Sequence, residues 1–130
     1  MADNFESECD RLSHAVDGVQ FERIRWARTE GPMLERLVEL AQATVAERPD
    51  FELVDEGSTG ACKRFVLKVH SVRVVAVNLG LDGRAVTVWS EEIPRSDYKL
   101  VEPRRRMARF EDVDQQWMTD AICGAFSEVR

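Results

Sequence analysis

The sequence predicts an α+β fold: a two-layer sandwich with N-terminal helices and a C-terminal helix packed on a four-stranded antiparallel meander sheet. Three observations carry this expectation. Two stretches, Met33 to Glu47 and Val113 to Val129, repeat apolar residues every three to four positions. Between them, from Phe51 to Glu91, apolar and polar residues alternate in short runs separated by turn-forming residues. One of those turns, Asp82-Gly83, is a strong signal for a two-residue hairpin.

The N-terminal 28 residues read as a helical segment. Phe5, Cys9, Leu12 and Val16 stand at helical spacing, Asp17-Gly18 interrupts them, and Val19, Phe21, Ile24 and Trp26 fit neither period cleanly. Gly31-Pro32 opens the next helix, since proline at the first helical position loses no hydrogen bond. Leu34, Leu37, Val38, Ala41 and Val45 line its apolar face, and Pro49 ends it. Strands are then expected at Phe51–Glu56, Lys63–His70, Val72–Leu81 and Arg84–Glu91. Taking Asp82-Gly83 as the loop, Leu79 faces Val86 and Val77 faces Val88 on the core side. Asn78 then faces Thr87, and Ala76 faces Trp89, on the other side. In the last helix Asp112 is the expected cap, with Gln115 completing a capping box. Its apolar stripe runs through Val113, Trp117, Ala121, Ile122, Ala125, Phe126 and Val129.

At 130 residues, 44% hydrophobic and 32% charged, the chain fits one domain spanning residues 1–130. Its 18 cationic and 24 acidic residues leave a formal charge of −6, which argues against indiscriminate DNA binding. The start MADNFESECD has neither a cationic nor an apolar signal region, and no apolar run approaches bilayer-spanning length. A cytoplasmic location is therefore expected. Cys9, Cys62 and Cys123 are an odd number of thiols, read as reduced.

No constellation rises to a reaction. The two histidines, His14 and His70, and the three cysteines show no zinc-ligand spacing, so no metal and no cofactor is expected. Cys62 follows a glycine turn beside Lys63 and Arg64, cations able to lower a thiol pKa, and only His14 or His70 is there as a base. Gly57–Lys63 has the composition of a phosphate loop without its spacing and precedes a strand, so it reads as a hairpin turn. Glu91-Glu92 and Asp112/Asp114 read as strand-end charges and caps.

The charge is unevenly spread. The connector from residue 95 to 109 holds Arg95, Lys99, Arg104, Arg105, Arg106 and Arg109 against only Asp97 and Glu102, a balance of +4. The rest of the chain, with 12 cations and 22 carboxylates, stands at −10. Guanidinium forks grip phosphates or acidic surfaces, although arginines also pair with a chain's own carboxylates. Tyr98 adds an aromatic ring to the segment, and Trp89 falls on the sheet face opposite Val77, Val86 and Val88. Either the N-terminal segment, with Phe5, Phe21 and Trp26, folds over that face, or Trp89 stays open as an interface anchor. The leading expectation is a non-enzymatic protein-binding module, an adaptor, inhibitor or chaperone-like protein or a homodimer. Its contact residues would be Trp89, Arg95, Tyr98, Lys99, Arg104, Arg105, Arg106 and Arg109. The alternatives are nucleic-acid or phosphate binding through Arg95–Arg109, and an enzyme working from Cys62 or His70.

Overall fold

A computed structural model describes residues 2–130. The chain divides into two compact units, one ending at Pro32 and the other running from Met33 to Arg130. The first is a helical hairpin of α1 (Ala2–Val16) and α2 (Gly18–Arg28). A single residue joins them. Asp17 stands in extended backbone, and its carboxylate accepts from the Gln20 N–H at 3.1 Å, so the interruption read in the sequence is a helix cap. The segment that fits neither period, Val19 to Trp26, is helical, and α2 buries none of its residues.

The second unit opens with α3 (Glu30–Val45), of which the turns from Met33 onward belong here. It continues through β1 (Phe51–Asp55), β2 (Cys62–Val69), β3 (Val72–Asp82), β4 (Ala85–Glu91) and β5 (Arg106–Arg109). A 3₁₀ turn (Phe110–Asp112) leads to α4 (Gln115–Ser127). The sheet is an antiparallel meander in the order β1-β2-β3-β4-β5. The α+β class stands, with a fifth strand where a basic connector was expected. That strand is masked in the sequence because an arginine takes an inward position that a pattern reader reserves for apolar residues.

One sheet face carries Leu53, Phe65, Leu67, Val75, Val77, Leu79, Val86 and Val88. Leu34, Leu37 and Leu40 of α3 and Met118, Ala121 and Ile122 of α4 close over it. Met118 is fully buried although the expected stripe omitted it, and Trp117 is half-buried against this core. The opposite face is not open throughout. Val66, Ala76 and Ile93 form a second small core there, so β2 and β3 are buried on both sides at their centres. At the β1 edge, the Gln42 side chain donates to the Leu53 carbonyl at 2.9 Å, which occupies an acceptor open to strand addition.

Two local expectations shift by small amounts. The β3–β4 loop centres on Gly83 and Arg84, with Asp82 paired to Ala85. Gly83 has φ +61° while Asp82 keeps a negative φ, the pattern of a turn with glycine at its first central position. Pairs slide by two residues, giving Leu79 opposite Val88 and Asn78 opposite Trp89, and because the slip is even every side chain keeps its face. In α4 the cap is Asp114, whose carboxylate accepts from the Trp117 N–H at 2.8 Å. Asp112 is spent in the 3₁₀ turn, and the Gln115 side chain donates instead to the Leu40 carbonyl at 3.0 Å, tying α4 to α3.

The β2–β3 turn places His70 at φ +49° and Ser71 at φ +65°, two non-glycine residues in the left-handed region. Replacing the pair by Asn-Gly (His70→Asn, Ser71→Gly) should raise stability by about 1 kcal/mol in urea unfolding, because that dipeptide suits a turn with both central φ positive.

Candidate protein interface on the open sheet face

The sheet register lays side chains in rows on the face away from α3 and α4. One row is Arg64, Asn78 and Trp89; the next is Cys62, Gly80, Thr87 and Met107. Gly80 lets the Trp89 ring lie against the backbone, since a Cβ there would stand 3.1 Å from ring carbon Cζ3. Arg105, just ahead of β5, lays its guanidinium over the same ring, 4.4 Å from the centroid. Such a stack is worth ~0.5–1 kcal/mol at an exposed site. Trp89 is half-buried. Around it Thr59, Ala61, Cys62, Thr87 and Arg105 line a shallow depression of about 310 Å³. Asn78 beside Trp89 is 3% exposed, and its Nδ2 has no hydrogen-bond partner among the described residues. Met107 is 67% exposed at the rim.

Farther along the face the charges are paired. Arg64 donates to Glu91 and to the Glu56 carbonyl, each at 3.1 Å. Arg73 donates to the Glu56 carboxylate at 2.7 Å and holds it below the usual carboxylate range.

The basic run splits between two faces. Arg105 points outward onto Trp89. Arg106 turns inward across Gly124 of α4, where a Cβ would stand 2.5 Å from Nη2, and its guanidinium meets Glu128 at 3.4 Å. Glu128 is buried and gathers further donors: the Ser90 hydroxyl at 2.9 Å and the Arg104 backbone N–H at 2.6 Å. Arg106 thus holds the segment to the body.

Lys99 lies 3.6 Å from Glu92 and pairs its backbone with Arg130. Tyr98 borders a separate apolar groove with Phe51, Val74 and Phe126. Arg95 stands at φ +64° after β4. Arg95, Arg104 and Arg109 form no ion pair among the described residues. Of the eight residues expected at the site, Trp89 and Arg105 are in contact, and the others spread along the segment. Asn78 and Thr87 were expected on this face but not as part of the site, and Gly80 and Met107 were not expected there. A lone glycine inside a β-branched strand was the readable sign that another group approaches the backbone at Gly80.

The depression offers little for catalysis. Burial, reinforced by Glu91, pushes the Cys62 thiol above its ordinary range, and Arg105 only partly opposes this. Cys62 and His70 sit at opposite ends of β2, roughly 25 Å apart at strand rise. Among the described residues no group of three or more His, Cys, Asp or Glu side chains is placed to hold a metal ion. None of the helices described is long and apolar enough to cross a membrane. Compared with protein-family models, curated proteins and solved structures, the chain matches none.

Three outcomes follow from this geometry. Iodoacetamide at neutral pH should label exposed Cys123 well before Cys62, read by peptide mass spectrometry, because a raised pKa leaves less thiolate. Glu128→Ala should cost about 1–3 kcal/mol in urea unfolding, as it strands the Ser90 hydroxyl, the Arg104 N–H and the Arg106 guanidinium. Arg105→Ala should cost no more than about 1 kcal/mol.

Proposed function

We propose that this chain is a protein-binding module whose contact surface is the sheet face around Trp89 and Arg105. The observation that supports the reading is the Arg105–Trp89 stack, set beside cations without carboxylate partners and the exposed Met107. Tryptophan and arginine are the residues most enriched at binding hot spots, where a large ring gains from desolvation and a guanidinium adds orientation. A shallow, open depression suits a protein surface better than a small molecule, which needs most of its area enclosed. The partner is an acidic protein surface carrying an apolar anchor. The anchor would sit on the Met107–Thr87 row, and its carboxylates would meet Arg104, Arg105 and Arg109.

A second reading, nucleic-acid binding, draws on the same stack, because aromatic and guanidinium planes also accept bases. It is weaker here: one aromatic ring is offered, and Asp82, Glu91 and Glu111 share the neighbourhood with the arginines.

The experiment is affinity capture with the full chain beside its Trp89→Ala and Arg105→Glu variants, all confirmed folded by circular dichroism. A protein bound by the wild type and weakened at least tenfold, ~1.4 kcal/mol, in both variants supports the reading. Capture unchanged in both variants overturns it. Retention on single-stranded DNA that falls steeply with salt and disappears in an Arg104→Ala, Arg105→Ala chain would transfer the site to nucleic acid.

A further inference from the structure

The two edges of the sheet differ in what they offer a partner. The β1 edge is guarded, since Gln42 fills the outward Leu53 carbonyl at 2.9 Å. The other edge is β5, paired only to β4. Which of its backbone groups point outward follows from the β3–β4 turn. Across a two-residue loop the closing pair, here Asp82 and Ala85, exchanges both hydrogen bonds, so Ala85, Thr87 and Trp89 turn their backbone groups to β3. Val86 and Val88 then turn theirs to β5, onto Ala108 and Arg106. The Phe110 N–H, donating to the Arg84 carbonyl at 2.7 Å, continues the same alternation. Met107 and Arg109 are left with N–H and C=O groups aimed away from β4. Among the described residues no backbone hydrogen bond outside the β4 ladder reaches them. Neither a proline nor a register shift interrupts Arg106–Arg109 to blunt the edge.

The same residues carry their side chains on the face away from α3 and α4. Met107 stands beyond Thr87, Arg109 beyond Ala85, and Arg105 continues the series over Trp89. An incoming strand therefore meets a cation, a methionine and a cation at alternate positions. That order selects the occupant. A second copy pairing Met107 with Met107 would set Arg105 opposite Arg109 at both ends, and like charges directly opposite are destabilising. Slid by two residues, it would make the two Arg109 side chains diagonal neighbours, still within reach of each other. A strand with carboxylates at those places gains instead from each pair. The chain's own acids do not fill them: Glu111 is bonded to Arg84 at 3.0 Å, and Ala85 separates Asp82 from Arg109 in their row.

We infer that the β5 edge takes an extended acidic segment of the partner as an added antiparallel strand, with an apolar residue opposite Met107 and carboxylates opposite Arg105 and Arg109. The inference rests on the sheet-face reading and adds the form of binding. Main-chain hydrogen bonds at Met107 and Arg109 hold the segment, and its alternate side chains select it.

The probe is the peptide Thr-Glu-Thr-Leu-Thr-Glu-Thr, whose pattern reads alike in both directions, added to the full chain and followed by amide hydrogen exchange. Exchange at Met107 and Arg109 should be fast in the free chain and at least tenfold slower with peptide. Lysine in place of both glutamates should weaken binding at least tenfold. N-methylation of the leucine and both glutamates, whose amides face β5, should abolish binding, whereas N-methylation of the threonines, on the far edge, should preserve it. In the protein, Met107→Pro removes only an outward donor and should bind at least tenfold more weakly than Met107→Ala. Binding that leaves both amides unprotected, or survives methylation of the leucine and glutamates, overturns strand addition while side-chain docking at Trp89 stands. A peptide that does not bind at millimolar concentration overturns it too, with the sheet-face reading still judged by its own capture experiment. Protection of both amides in the free chain also overturns it: protection that grows with concentration puts a second copy on the edge, and protection independent of concentration puts a segment of the same chain there.

Discussion

The constraint on which the second unit depends is the double-sided burial of β3. Its residues Val74 to Leu79 are all buried. Successive side chains of a strand point to opposite faces, so six buried residues in a row require cover on both. On one face α3 and α4 provide it with two helices' worth of leucine, methionine and isoleucine. On the other the cover is thin, Ile93 over Val66 and Ala76, after which Asn78 is closed in beside Trp89. It ends at Gly80. The depression therefore sits where the second layer of this unit runs out, and Trp89 stands at that edge beside Asn78, on the face that α3 and α4 do not cover.

A buried carboxylate then determines which arginines are free. Glu128 accepts from Ser90 on β4, from the backbone of Arg104 and from the side chain of Arg106, so one side chain fixes the last turn of the chain, the sheet and the basic segment together. Burying such a group is costly unless its lone pairs are filled, and here three donors fill them. With Arg106 pinned inward, strand alternation sends its neighbour Arg105 to the other face, directly over Trp89. The stack is thus a consequence of the pairing at Glu128 rather than an independent arrangement.

Much of the fold was legible because periodicity records burial. The α3 face, the alternation in β2 and β4, and the turns near Gly57–Gly60 and at Gly83 followed from spacing and turn chemistry, although the β3–β4 loop is Gly83-Arg84 and not Asp82-Gly83. The sorting of faces survived a slipped register because the slip was two residues. What stayed hidden has physical reasons. β5 was invisible because Arg106 fills a core-side position by means of a carboxylate 22 residues away. The Asp114 cap was hidden because Asp112 and Asp114 are chemically equivalent candidates, and only the 3₁₀ turn that takes up Asp112 decides between them. At the site, Trp89 and the basic run were readable as separate features, but their meeting depends on the pairing of β5 with β4 and on the Arg106–Glu128 contact. Gly80 was the local trace of it.

The stack also bears on which anion fits. Trp89 has the Gly80 backbone against its ring and the Arg105 guanidinium over it, so an incoming nucleobase finds the indole already engaged. A guanidinium over a ring still has N–H groups to offer at its edge, and a carboxylate can accept two of them without displacing the cation. An acidic side chain would therefore join the existing pair at the edge of the guanidinium, while a base stacking on the indole would have to displace the cation. The run's +4 balance overstates its reach, since Arg106 and Lys99 are paired within the chain and leave Arg95, Arg104, Arg105 and Arg109. Three of these four, Arg104, Arg105 and Arg109, fall within six consecutive positions, and Arg105 among them lies on Trp89. A charge set this compact orients a partner at close range more than it attracts a polyanion from a distance.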